Sequence, residues 1–145
     1  MIFTTIYRII NDYDTANDIL QETFIDVFTQ IDELKNINAL KSWINRIAVR
    51  KSVRYMQRTK PLDTVDKYPE IESCDWNGDF IGEDLHKAIE SLPDKNRMVF
   101  VLVEVEGYKH KEVAEMMGIS EGTSKSQLNY SKKLLRIKLG EIYKV

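Results

Sequence analysis

Apolar side chains recur at spacings of three and four along most of this chain, the period of a helix with one covered face. Ala16, Ile19, Leu20, Phe24, Val27, Phe28 and Ile31 mark a long helix, with Asp14 or Thr15 placed to cap its start. Ile2, Ile6, Ile9 and Ile10 mark the remainder of a helix before it. After the Asn36-Ile37-Asn38 loop, Leu40, Trp43, Ile44, Ile47 and Ala48 lie on one side of a third helix. These three helices are expected to share one small core. The pattern breaks over Pro61 to Gly82, where Pro61, Pro69, Gly78 and Gly82 stand among many acids, with Tyr68, Trp76 and Phe80 scattered between them. A short helix is predicted over Leu85 to Leu92. Pro93-Asp94 opens the next, which runs through Val99, Phe100, Leu102, Val103 and Val105 to Gly107. That last run alone also suits a buried strand. Its position just before another helical pair favours a helix in a four-helix module. The predicted class is all-α, with two small helical domains, 1–60 and 83–145, joined by an acidic linker, 61–82; the 145 residues allow this division.

The stretch from Tyr108 to Leu128 reads as helix, tight turn, helix. Val113, Ala114 and Met117 give the first helix its apolar face. Gly118 sits where a helix ends in a positive φ, Ser120 can cap the second helix, and Glu121 stands in its first turn, where the helix dipole favours an anion. Helix-turn-helix units of this form lay the second helix in the DNA major groove, although helical hairpins with a glycine turn also serve purely structural ends. The residues that follow support DNA: Lys125, Lys132, Lys133, Arg136 and Lys138 are basic, and no acid intervenes between Gly122 and Leu139.

The net charge of −2 conceals a segregated distribution. Lys41 to Lys60 holds Lys41, Arg46, Arg50, Lys51, Arg54, Arg58 and Lys60 with no acid, whereas Pro61 to Ser91 is dominated by Asp and Glu. Arg46, Arg50, Arg54 and Arg58 follow one another at four-residue spacing. Like charges so placed destabilise an isolated helix by about 0.2–0.5 kcal/mol per pair, which favours an anionic partner such as a phosphate backbone over simple solvation. Trp43 and Tyr55 add aromatic surfaces on which unstacked bases can lie. The lone Cys74 forbids an internal disulfide and fits a reducing compartment. Met1 to Ile10 is too short and polar to span a membrane and lacks a signal-peptide pattern, so a cytoplasmic protein is expected. His86 and His110 stand apart from any metal-ligand spacing, and no catalytic arrangement or cofactor motif is legible.

Taken together, the two halves resemble the extracytoplasmic-function group of bacterial RNA polymerase sigma factors. Ala16-Asn17-Asp18-Ile19-Leu20-Gln21-Glu22-Thr23-Phe24 resembles the helix that grips the clamp coiled coil of the polymerase large subunit. Leu40 to Ala48 resembles the loop and helix that melt and read the minus-ten element. Leu92-Pro93, Arg97-Met98-Val99-Phe100, Glu106-Gly107 and the hairpin ending Ser120-Glu121-Gly122-Thr123 resemble the domain that reads the minus-thirty-five element. The resemblance implies a non-enzymatic promoter-specificity factor. Its partners would be core RNA polymerase and promoter DNA, with an anti-sigma factor as a further partner class. It implies a polymerase contact through Asp18, Gln21 and Glu22, with Ile19, Leu20 and Phe24 in the core.

Several positions depart from the family pattern. Arg50 stands where Asn is usual, Arg54 where Asp is usual, Ser124 where a buried Val is usual, and Gln127 and Tyr130 where Arg is frequent. Members also carry about one more helix-length before the position of Met1. The Ser124 hydroxyl is expected to bond a backbone carbonyl. With Ser120 as cap, Glu121, Thr123, Lys125, Ser126 and Gln127 are expected nearest the groove floor, Ser124 and Leu128 inside, and Lys132 and Lys133 on the DNA backbone. The acidic linker is expected to fold back over a basic face in the free protein. Two other readings stay open: a helix-turn-helix regulator that dimerises through its front half, and a degenerate sigma-like protein that binds polymerase or an anti-sigma partner without starting transcription.

Overall fold

In the computed structural model, residues 1–60 and 82–143 are described. The backbone divides into two compact units, Met1–Pro61 and Leu62–Val145. The expected acidic linker, with its aromatic residues, Cys74 and the proposed fold-back, lies outside the described residues; only its last residue, Gly82, is described, as the first residue of a helix.

The first unit holds α1 (Ile2–Ile10), α2 (Tyr13–Gln30) and α3 (Leu40–Thr59). A two-residue elbow separates α1 from α2. Asn11 closes α1 in the left-handed region, φ 58°, a conformation that Asn tolerates better than most residues, and its N–H donates to Tyr7 O at 2.7 Å. Asp12 is extended and accepts from the Thr15 N–H at 3.0 Å. The cap is therefore Asp12, not Asp14 or Thr15. A cap carboxylate reaches the N–H three residues on, which makes Thr15 the donor.

The core of this unit joins Ile6, Ile9 and Ile10 of α1, Ala16, Ile19 and Val27 of α2, and Ala48, Val49, Val53 and Met56 of α3. On α2 the buried stripe runs Ala16, Ile19, Thr23, Val27, with the Thr23 hydroxyl satisfied by Ile19 O at 2.7 Å. Phe24 and Phe28 follow the buried Thr23 and Val27 by one residue, or about 100° of rotation. They fall beyond the cover that α1 and α3 provide and are 39% and 79% exposed. The expectation that Phe24 belongs to the core is thus corrected.

The second unit holds α4 (Gly82–Glu90), α5 (Asp94–Phe100), α6 (His110–Met117) and α7 (Glu121–Tyr143). Pro93, extended at φ −53° and ψ 144°, starts α5 where its missing N–H costs no intrahelical bond. The helix continues past Phe100 as a π turn over Val101–Val105, with Glu106 N–H donating to Val101 O at 2.9 Å. The Val-rich run is therefore helical, widened by one residue per turn. Its core gathers Ala88, Ile89, Leu92, Met98, Val99, Val101, Leu102, Val113, Met117, Leu128, Leu135 and Leu139.

Candidate nucleic-acid interface

On α3 the buried residues Ala48, Ser52 and Met56 each stand two positions after Arg46, Arg50 and Arg54. Two positions are about 200° of helical rotation, so the arginine row lies opposite the core. Arg46, Arg50, Arg54 and Arg58 are all exposed, and none forms a salt bridge with a described residue. Trp43 is half-buried near the start of the same helix. The sequence places these side chains on one helix, and the fold leaves the arginines to solvent.

The acids of α2 flank this surface. Asp18, Gln21 and Glu22 are exposed, as the sequence suggested. Asp18 and Glu22 share a cleft of about 330 Å³ with Lys51, Arg54, Tyr55 and Arg58. Lys51 ties the helices together, with Nζ 2.7 Å from the Asp26 carboxylate and 4.0 Å from that of Glu22. Sequence reasoning missed two features here. Lys51 reads in the sequence as one more base of the positive segment, yet it faces acids. Ile25, Phe28 and Ile31 are exposed, although the helical spacing of Phe28 and Ile31 alone points to core.

In the second unit, Gly118 ends α6 at φ 66° with its N–H bonded to Ala114 O. Only a residue without a Cβ takes this conformation freely, so the turn depends on glycine. Ser120 caps α7, its Oγ accepting from the Thr123 N–H at 3.0 Å and donating to Thr123 Oγ1 at 2.8 Å. Glu112 reaches back to the Lys109 N–H at 2.8 Å and fixes the start of α6. Lys125 and Ser126 are exposed on the first two turns of α7, and Thr123 is half-exposed.

Two expectations for α7 are corrected. Gln127 is 1% exposed and does not reach the surface, because it falls on the same stripe as Ser124, Leu128 and Ser131 against α5 and α6. Its side-chain oxygen is buried with no protein partner. Ser124 is fully buried as expected, but its hydroxyl pairs with His110 Nδ1 at 2.8 Å rather than with a backbone carbonyl. Lys132 and Lys133 are both half-exposed, and the Lys132 ammonium lies 2.6 Å from the Glu104 carboxylate.

Among the described residues no group of His, Cys, Asp and Glu side chains is arranged to hold a metal ion, and no helix is long and apolar enough to cross a membrane. His86 lies 3.1 Å from Glu90, one turn along α4.

Comparison with known proteins matches each unit to a family profile. Sigma-70 region 2 covers residues 1–61, and Sigma-70, region 4 covers residues 82–135. The chain is 28% identical to RNA polymerase sigma factor SigV of Bacillus subtilis over 134 residues, 92% of this chain and 81% of that protein. It is 26% identical to the ECF RNA polymerase sigma factor SigW of the same organism, over 97% of this chain and 84% of the relative. The ECF RNA polymerase sigma-E factor of Escherichia coli is 30% identical over 128 residues, 77% of this chain and 66% of the relative. Among solved structures, the fold is similar to that of the sigma factor RpoE of Bartonella quintana, crystallised with the anti-sigma factor NepR. The TM-score is 0.58 at 21% identity, over 95% of this chain and 89% of that one.

Proposed function

The chain belongs to the sigma-70 family of RNA polymerase sigma factors, in its extracytoplasmic-function group, and from that premise we propose how its surfaces divide the work. As a promoter-specificity factor it binds core RNA polymerase and promoter DNA and directs transcription initiation. It carries out no bond chemistry of its own in this reading, and it works in the cytoplasm, where its two partners are.

Residues 1–60 act as the domain that engages polymerase and the minus-ten element, and 83–145 as the domain that engages the minus-thirty-five element, with 61–82 as their linker. Asp18, Gln21 and Glu22 on α2 face the polymerase, and the adjoining Phe24, Ile25 and Phe28 supply the apolar centre that a protein interface needs. Arg46, Arg50, Arg54 and Arg58 on α3 track DNA phosphates, with Trp43 as a stacking surface. On α7, Thr123, Lys125 and Ser126 approach the groove, and Lys133 meets the backbone. Gln127 drops out of the contact set, since it is buried, while Lys132, paired with Glu104, stays half-exposed beside Lys133.

The observation that carries this reading is the exposed arginine row on α3, opposite the core and without acidic partners among the described residues. Its neighbouring helix presents acids and large apolar side chains instead. The two faces suit two different macromolecules, DNA and protein.

Reconstitution with core polymerase, followed by sequencing of run-off transcripts from a genomic template, tests the proposal. Transcripts sharing two upstream elements are expected. Polymerase binding without a promoter-specific start would favour the degenerate reading. Operator binding as a dimer without polymerase would favour the regulator.

A further inference from the structure

The inward face of α7 carries buried polar side chains, and Ser124, Ser131 and the Gln127 backbone carbonyl make directional bonds to the helices that support it. Ser124, Gln127 and Ser131 stand at i, i+3 and i+7, and all three are buried. Ser124 Oγ pairs with His110 Nδ1, on the first turn of α6, at 2.8 Å. Ser131 Oγ shares its proton between Asn96 O on α5 at 3.0 Å and Gln127 O of its own helix at 2.8 Å, and Asn96 Nδ2 donates to the Gln127 backbone carbonyl at 3.3 Å. The recognition helix is thus fastened to α6 near its start and to α5 one and two turns later.

We propose that this polar seam, and the His110–Ser124 pair above all, sets the rotation of α7 about its own axis and so selects which side chains it presents to DNA. The inference rests on the reading of α7 as the helix that meets the minus-thirty-five element.

The physical argument concerns direction. Val113, Met117, Leu128 and Leu135 are buried in the core of this unit, and the attraction that buries them is proportional to area and nearly indifferent to angle. A helix seated only by such contacts tolerates a roll that trades one contact for another. Hydrogen bonds weaken steeply when donor and acceptor leave their line. One residue of helix is about 100° of rotation, so even a partial roll moves Lys125 and Ser126 away from the groove and breaks the Ser124 bond. Buried polar groups that fix register at the expense of stability are well attested where helices pack side by side. The bond also suits either imidazole tautomer, since the hydroxyl can donate to or accept from Nδ1. His110 acts here as a positioning residue, with no need to touch DNA.

His110 is half-exposed on the first turn of α6, so changes there leave the core intact and carry the test. His110→Asn keeps a polar atom near the Nδ1 position, whereas His110→Phe keeps the ring and removes the bond. Each full-length variant, bound to core polymerase, is used to select from promoters with randomised upstream hexamers, and its melting temperature is measured in parallel. His110→Phe is expected to broaden the selected consensus and to weaken binding to the wild-type consensus by about threefold to tenfold, the worth of one hydrogen bond. His110→Asn should return the wild-type consensus. Ser124→Ala should match His110→Phe, and the two together should lose no more than either alone. Identical consensus sequences from the Phe and Asn variants, or losses that multiply in the double variant, would overturn the positioning role and leave the sigma-factor reading standing. A wild-type holoenzyme that selects no upstream sequence would overturn both.

Discussion

The Arg97 guanidinium, 2% exposed, donates to the Asp94 carboxylate at 2.7 Å from one turn along α5. The same group donates to Leu92 O at 3.2 Å, so one buried cation closes the turn between α4 and α5. Removing Asp94 takes away the carboxylate that faces this charge. Asp94→Ala is expected to destabilise the second unit by about 1.5–3 kcal/mol, the range for a hydrogen bond to a charged group. Urea denaturation followed by amide exchange in α5 and α7 checks it. Unchanged protection there would mean that the guanidinium's other partners suffice.

Gln127 bears on what reads the upstream element. Its buried side-chain oxygen lacks a protein partner, and leaving a polar atom in that state costs about 1–3 kcal/mol. Gln127→Leu fills the same volume without that oxygen and should raise the melting temperature. It should also return the wild-type upstream consensus. A new base preference in the Leu variant would show that Gln127 swings out to the groove.

On α2, Glu22→Lys is expected to weaken binding to core polymerase while leaving the fold intact, because Asp26 keeps Lys51 in place at 2.7 Å. Phe28→Ala should do the same with no loss of stability, since a side chain 79% exposed contributes little to the core. Titration of labelled core enzyme measures both. Wild-type affinity in the combined variant would remove α2 from the polymerase interface.

For the arginine row, each of Arg46→Ala, Arg50→Ala and Arg54→Ala should weaken promoter binding whatever its sequence. Each should lower the slope of log affinity against log salt by about one unit or less, as expected when one phosphate contact is lost. Anisotropy titrations at several salt concentrations give the slope. A triple variant with the wild-type slope would assign the row to protein or solvent.

The elbow before α2 has a pH signature. The Thr15 hydroxyl and the Thr15 N–H both donate to Asp12, and Lys60 adds a favourable charge; together these outweigh desolvation and hold its carboxyl below the ordinary 3.8. The unfolded chain therefore takes up this proton at higher pH than the folded one. The contribution of the cap is complete above the ordinary carboxylate range and is lost as pH falls through the depressed value. In an NMR titration Asp12 should protonate below the ordinary 3.8, and Asp12→Asn should flatten that part of the acid limb of stability.

The sequence by itself determined most of the helices and the helix-turn-helix. Those features arise from local rules. Apolar spacing of three and four sets a helix, Gly118 takes a positive φ that other residues resist, and Ser120 bonds an N–H three residues away. The arginine row was equally legible, because four-residue spacing keeps Arg46 to Arg58 on one face whatever surrounds it. Tertiary structure decided which faces are covered. Periodicity puts Phe24 and Phe28 beside Ile19 and Val27, but only the positions of α1 and α3 leave the phenylalanines in solvent. The same limit misplaced Gln127, which is polar yet falls on the stripe that α5 and α6 enclose. Partner choice was beyond the sequence as well. Ser124 meets His110 from fourteen residues away, and Lys132 meets Glu104 from another element, because folding brings those atoms together. A chain states its local geometry residue by residue, whereas burial and pairing belong to the neighbours that packing supplies.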